Sequence, residues 1–580
     1  MQRKTETRRA FLAKAIWASG GVILTSQLAA CEHLDDFLND DGPVDGVPRF
    51  LHGVGSFDPI ANAVIIWTRF TPTMDEVGEF IKINWQVATD KNFGNVVKEG
   101  LQYASVENDF TIVQDVTGLA ADGKYYYRFI QSELNEKSVV GETITLPEKG
   151  AALNSLKLAI CSCSNYPAGL FNVYDAIANS DADAVLHLGD YIYEYEVGGY
   201  GTNENTGPLG REHDPSTEIL TLEDYRLRYR QYRTDEGLQL AHQKKPFIVV
   251  WDDHEITNDA YKDGAENHDD SEGDYQARLE RAIRVHSEYL PVRTETQGVI
   301  YRNFEFGNLV NLVMLDTRII GRDRQLGFGG FFNADGSFDF AGFGAALFDP
   351  ARRLMGEEQL TWTAGAVGGS SATWQVLGQQ VLMGTMTVPA ELLILIGQVA
   401  GGDTRPETLA ALQQAIVDLS ALKARALAGD PTLTQEELAR LAAQVPYNLD
   451  AWDGYAVERE RLYALFKGKN TVVFAGDTHN AWHNVLLDSN GDKIGEEFAC
   501  ASVTSPGFEG LFGSDPATVQ GIQQAFVLLI DGLQYFDAAQ RGYVLTEFTA
   551  GSATASYRFI DTLASTNYTE VEGNTTTFTV

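Results

Sequence analysis

Between Ala184 and Leu188 the chain is apolar but for one histidine, and it then breaks at Gly189-Asp190 into the aromatic run Tyr191-Ile192-Tyr193. Five residues are too few for a helix, so the pattern predicts a short buried strand. The glycine permits a sharp turn, which places Asp190 at the strand's exit rather than along its side. The same grammar recurs. LKLAI leads into Cys161-Ser162-Cys163-Ser164, and FIVVW into Asp252-Asp253-His254-Glu255. LVNLVML leads into Asp316-Thr317-Arg318, and TVVFA into Gly476-Asp477-Thr478-His479. If these runs are neighbouring strands of an open α/β sheet, their polar exits meet at the carboxyl edge, where ligands collect.

The rest of the chain divides by period. Over residues 49–147, NAVIIWTRF, FIKINWQVAT, DFTIVQDVTGL and GKYYYRFIQS alternate apolar and polar positions between turn signals, which predicts a small β-sandwich. A linker follows, and from 155 to 560 strands and helices alternate, as in a layered α/β or α+β catalytic domain. A helical insertion is expected over about 389–446, where LAALQQAIVDLSALKARALAG and TQEELARLAAQV place apolar residues three and four apart. Residues 561–580 read as a Thr-rich tail. The Gly/Asn-rich stretch Val197 to Pro215 is of a length typical of a lid or binding loop. Gly327 to Gly344, rich in Gly and Phe, reads as a loop beside the pocket. Arg226, Arg228, Arg230 and Arg233 on the predicted helix Leu222 to Leu240 read as a solvated face.

Charge changes the picture. Against 44 Lys+Arg stand 80 Asp+Glu, a formal net charge of −36 over 580 residues. Such a surface repels polyanions, so stable nucleic-acid binding is not expected. A phosphorylated substrate would be repelled too, unless bound metal cations reverse the field at the site. The four cysteines, Cys31, Cys161, Cys163 and Cys500, are no disulfide framework for this length.

Residues 1–31 read as an address. Thr7-Arg8-Arg9-Ala10-Phe11-Leu12 is a twin-arginine pattern, and Leu28-Ala29-Ala30-Cys31 resembles a bacterial lipobox with Cys31 as the lipidated residue. Residues 32–48 follow as an acidic, flexible tether. The expected location is extracytoplasmic, periplasmic or anchored to the membrane through Cys31.

Asp190 and Tyr193, three apart in GDYIY, can face one ion from a tight turn; Cys163 offers a thiolate and His479 an imidazole nitrogen. Sulfur, carboxylate, phenolate and nitrogen together suit ferric iron. Asp190 as a bridge, with Asp253 and Asp477, makes an all-oxygen second site that suits Ca²⁺, then Mn²⁺ or Mg²⁺. Arg318 is placed either to bind phosphate or to form an ion pair. His187 reads as a core residue, and His483 as a loop or supporting residue.

These motifs, CSCSNY, GDYIYE, WDDHEITND, LDTR and AGDTHNAWH, resemble those of the metallophosphoesterases, and within them the D-type (PhoD-like) alkaline phosphatases, kin of purple acid phosphatases. The resemblance implies a metallophosphoesterase four-layer sandwich behind a fibronectin-III-like domain, with iron and calcium as cofactors. It places Asp190 as the bridging ligand, Tyr193 and Cys163 on iron, and Asp253 and Asp477 where relatives carry Asn and His. Gln380 is the stand-in for a ligand histidine that has no counterpart. The implied chemistry is hydrolysis of phosphate mono- or diesters by in-line attack of a metal-bound hydroxide, with His254 as general acid. A dedicated phosphodiesterase or phospholipase, and a degenerate ligand-binding surface lipoprotein, are the alternatives. A monomer is expected.

Overall fold

The apolar runs lie in two mixed β-sheets that stack on each other. In this computed structural model, which describes residues 48–580 apart from 74, 295, 336, 401, 404, 513 and 514, the first sheet has nine strands. Its middle is the parallel set Ser155–Cys161, Ala184–His187 and Pro246–Val249, with Val185 between Ala159 and Phe247. The second sheet has seven strands around the parallel set Val310–Met314, Trp374–Gly378, Asn470–Ala475 and Lys493–Ala499. Val313, Leu377 and Val473 stand in register across three of them. The twin-arginine, lipobox-like and tether readings up to residue 47 fall outside the described residues.

Alternation along the second sheet explains why its strands read as unbroken apolar runs. Leu312, Met314, Val376, Val472 and Phe474 share a core with Leu158, Ile160 and Val185 of the first sheet. Val313, Leu377, Val473 and Ala475 point the other way, into a core shared with Leu360, Leu462 and Phe466 of the helices Gly356–Gly368 and Ala456–Phe466. Each strand is therefore buried on both faces, the usual state of a parallel sheet covered by helices. Trp374 ties the sheets together: its ring meets Phe548 edge-on at 5.9 Å, and Nε1 donates to the Thr549 carbonyl at 2.7 Å.

Residues 49–147 form two β layers, but not a free-standing unit. Strands Val54–Ile60, Ala63–Arg69 and Thr111–Thr117 are the end of the nine-stranded sheet, joined through Ser56↔Pro246 and Phe57↔Phe247. A five-stranded sheet faces them across a core of Val64, Ile66, Ile83, Trp85, Tyr127 and Phe129. Polar contacts fix the junction: Arg230 reaches Asp109 at 2.8 Å, Arg302 reaches Asp58 at 2.6 Å, and Arg226 donates to the Glu107 carbonyl at 2.7 Å.

Three sequence expectations change. Arg226, Arg228 and Arg233 are buried rather than solvated. The reason is unpaired backbone carbonyls: Arg228 donates to those of Tyr193, Tyr195 and Pro215 and so holds the segment after Asp190. The supposed tail carries a strand, Glu570–Thr579, which completes the nine-stranded sheet beside Ser552–Ile560. The Phe-rich stretch folds into a 3-10 turn and the helix Phe340–Leu347, clustered with Leu449. That helix lines a cavity of about 300 Å³ with Thr385, Val445 and Arg459, and no candidate metal ligand lines it.

The insertion is helical: Ala390–Ala400, Pro406–Leu427 and Gln435–Ala442 rise from a base pairing Thr387–Pro389 with Gln444–Pro446. A capping box starts the last helix, Thr434 Oγ1 accepting from Glu437 N at 3.1 Å and Glu437 from Thr434 N at 2.7 Å. No helix among the described residues is long and apolar enough to cross a membrane.

Candidate metal centre

Four of the residues singled out at strand exits share an unusual backbone. Cys163, Asp190, Asp477 and His479 have φ of 63°, 55°, 64° and 61°. Non-glycine residues in this left-handed region are strained by roughly 1–3 kcal/mol each and persist where the surroundings over-determine them. Glu255 is one such constraint: its carboxylate accepts the backbone N–H of Asp190 at 3.0 Å, of Asp252 at 2.7 Å, and of Tyr191. Gly189 is another, because a Cβ there would lie 2.5 Å from the Asp252 nitrogen. Cys163 N donates to the Gly189 carbonyl at 3.1 Å, which joins the first two exits.

The exits converge. One donor atom each from Cys163, Asp190 and His479 lies within 4.8 Å of the others, as do Asp190, Asp253 and His254, and Asp252, Asp253 and Asp477. Asp190 is common to the first two groups and Asp253 to the last two. Tyr193 closes the first: its hydroxyl donates to Asp190 Oδ2 at 2.9 Å and lies 3.1 Å from His479 Nε2. Ser505 Oγ supports that hydroxyl from 2.7 Å. His479 Nδ1 donates to the Pro506 carbonyl at 2.9 Å, beside Tyr200 Oη at 2.8 Å. This bond leaves Nε2 as the lone-pair nitrogen facing Asp190, the tautomer a metal ligand needs.

Arg318 is not free for a substrate. It is fully buried and pairs with Asp252, with Asp450 and Asp477 at 2.7 Å, and with Asp253 at 3.5 Å. The guanidinium is enclosed by four carboxylates, so its place is beneath the acids, fixing their spacing. Gln380 is not a ligand either. Its Oε1 accepts from Thr317 Oγ1 at 2.6 Å, and its Nε2 donates to the Trp251 carbonyl at 2.7 Å. Both ends of the amide are used in joining strand exits. His187 bonds Tyr174 Oη at 2.6 Å in the core, and His483 bonds Glu496 at 2.9 Å on a neighbouring strand.

The electrostatics ask for cations. Burial raises the carboxyls of Asp252 and Asp477 well above their usual range, and neighbouring aspartates add to this against the pull of Arg318. Burial and then Asp190 push Glu255 up to about 8; burial, then Asp450 and Asp253, push Asp259 up to about 7. Burial likewise raises the Cys163 thiol and the Tyr193 phenol. Asp190 Oδ1 and Asp253 Oδ1 are buried with no hydrogen-bond partner. Orphaned carboxylate oxygens beside a thiol, a phenol and an imidazole fit metal ions, which relieve like-charge repulsion and hold the donors deprotonated.

Several residues of the site carried no role in the sequence. Glu194, four positions after Asp190, is fully buried and takes His254 Nδ1 at 2.7 Å. Ser505 and Pro506 follow the strand Lys493–Ala499, a further strand exit that delivers neither acid nor histidine. Tyr200 comes from the glycine-rich loop after Val197, and Asp450 from the end of the helical insertion, where no local pattern marks it. For His254, burial favours the neutral ring, but Glu194, Asp190 and Asp253 outweigh it and raise the imidazole well above its ordinary value.

Comparison with known proteins covers both regions. A family model for the PhoD-like phosphatase matches residues 158–557, and one for the PhoD-like phosphatase N-terminal domain matches 41–147. Alkaline phosphatase D of Bacillus subtilis (strain 168) is 30% identical over 575 residues, spanning 96% of this chain and 85% of that protein. A solved structure of PhoD superposes with a TM-score of 0.71 at 28% identity, covering 93% of this chain and 92% of that one. From the sandwich at one end to the rim that gathers the aspartates, the chain belongs to the PhoD-like phosphatase family.

Proposed function

We propose that this protein is an exported, metal-dependent alkaline phosphatase acting on phosphate mono- and diesters. The observation that carries this reading is the convergence of Cys163, Asp190, Tyr193, Asp253, Asp477 and His479 at one rim, with one carboxylate oxygen each of Asp190 and Asp253 buried without a hydrogen bond. We read the two stacked sheets with helices outside as the four-layer metallophosphoesterase sandwich, and the two β layers ahead of it as fibronectin-III-like.

Cys163, Asp190, Tyr193 and His479 would hold ferric iron; Asp190, Asp253 and Asp477 would hold Ca²⁺, with Mn²⁺ or Mg²⁺ as substitutes. Bound there, the metals supply Lewis acidity toward phosphoryl oxygens and water. The chain's own residues do the rest. Arg318 and Glu255 keep the acids spaced for binding. Tyr200 and Pro506 keep His479 in one tautomer. His254 presents a ring nitrogen beside Asp190 and Asp253, placed to give a proton to the departing ester oxygen. A surface of charge −36 disfavours polyanionic nucleic acid, so small esters are the fitting substrates. The N-terminal pattern supports twin-arginine export, with attachment through Cys31, and a monomer is the expected state.

The deciding experiment is metal analysis of purified full-length protein with activity on nitrophenyl phosphate and bis-nitrophenyl phosphate, before chelation, after it, and after restoring each metal. Turnover lost and recovered with metal supports the reading, and the ratio of the two activities sets ester preference. Undiminished turnover in the chelated protein would overturn it.

A further inference from the structure

Glu194 is an enclosed carboxylate to which the roles above assign nothing. None of its surface is exposed, and its two oxygens are used unequally. Oε1 takes the Asn258 backbone N–H at 2.8 Å and Asn267 Nδ2 at 3.0 Å, with Thr257 Oγ1 at 3.3 Å giving its single proton to the Asn267 carbonyl at 2.7 Å. Oε2 has a single partner, His254 Nδ1, at 2.7 Å. Two donors thus lock the carboxylate while one oxygen is kept for the imidazole. The ring itself is wedged against Tyr193, centroids 4.2 Å apart, and Tyr195, 5.4 Å apart.

With Nδ1 committed to Glu194, Nε2 is the nitrogen left to act, and it makes no hydrogen bond among the described residues. An imidazole free to rotate would present either nitrogen; an anchored one presents Nε2 in a fixed direction. We propose that Glu194 is the positioning residue that aims His254 Nε2–H at the leaving-group oxygen of the ester, which makes alkyl phosphates, with their basic leaving groups, the substrates most dependent on it. As an oxygen from water bonds to phosphorus the ester P–O bond breaks, and its electron pair goes to the leaving oxygen, which takes the Nε2 proton. The imidazolium becomes neutral imidazole that keeps Nδ1–H on Glu194, and water returns the proton afterwards. This inference rests on the phosphatase reading.

The test compares the metal-loaded wild type with Glu194→Gln, His254→Asn and the double variant, on nitrophenyl phosphate and on glycerol phosphate. Glu194→Gln should lower kcat on the alkyl ester about 10–100-fold, the range for loss of a carboxylate that orients a working histidine. On the aryl ester it should stay within about threefold, because nitrophenolate departs without a proton, with KM and metal content unchanged. In the His254→Asn background the same change should cost nothing more on the alkyl ester, since residues acting as a unit are non-additive. Equal losses on both esters, an additive double variant, or a fall in metal content would each overturn the proposal in favour of a merely structural role. Wild-type protein that hydrolyses neither ester would sink the phosphatase reading instead. The His254 ring in crystals of Glu194→Ala then still decides the positioning claim, an unmoved ring overturning it.

Discussion

The hydroxyl of Tyr193 lies 3.1 Å from Nε2 of His479, across 286 residues of chain. The first leaves a strand of one sheet and the second a strand of the other, so their contact measures how closely the two sheets align their carboxyl ends. Substituting Tyr193→Phe removes only the oxygen that also donates to Asp190. On the proposed iron assignment, iron content should fall and any visible tyrosinate-to-iron absorption should vanish, with kcat down about 10–100-fold. Elemental analysis beside an absorption spectrum decides it: full iron and full turnover in the variant would remove the phenol from the site.

Asp190 is common to two of the three ligand groups, so Asp190→Asn should abolish turnover. In metal-free protein the same change removes a charge that raises Asp252, Asp477 and Glu255. Relief of that repulsion predicts a metal-free variant whose Tm is no lower than that of the metal-free parent. A large drop in calorimetric Tm would mean that the carboxylate holds the fold rather than a metal.

Metal removal should also make stability depend on pH. Glu255 and Asp259 stand at about 8 and about 7 in the folded chain, above the ordinary range near 4 that they regain on unfolding. Between those values the folded state holds protons that the unfolded state has lost, so stability falls as pH rises. Chelated protein should therefore melt progressively lower from about pH 4.5 to about pH 8, while metal-loaded protein changes far less across that window. Parallel curves for the two forms would contradict the charge argument.

Asp109 is the buried hub of the junction, paired with Arg69 and Arg230 and accepting from Tyr289. Burial works against its charge, but the two arginines prevail and hold its carboxyl below the usual range. Asp109→Ala leaves the buried Arg69 guanidinium without a carboxylate, while Arg230 keeps Glu223, and should cost about 3 kcal/mol. Thermal unfolding should remain a single transition, because one sheet runs through both regions. A separate early transition for the N-terminal layers would show that the junction does not couple them.

Much of the site was legible because the physics of a strand exit is local. A short apolar run that stops at Gly189-Asp190 or Gly476-Asp477 declares both its burial and its chemistry, so Asp190, Tyr193, Asp253, Asp477 and His479 were nameable before any geometry. The N-terminal layers were legible too, from their period of two. Where those layers end was not: Val54–Ile60 pairs with Pro246–Val249 through backbone hydrogen bonds, which leave no side-chain pattern.

Charge balance over distance was the other thing hidden. In sequence Arg228 reads as part of a solvated face and Arg318 as a phosphate binder or an ion-pair partner, yet one is buried by carbonyls and the other by four aspartates drawn from three separate segments. Glu194 looked like one acid among many until His254 was brought to it by the folding of another strand exit. Residue type and local period determined which groups are candidate ligands and where the strands run. Only the tertiary structure decided which charges face each other, because that depends on segments with no relation along the chain.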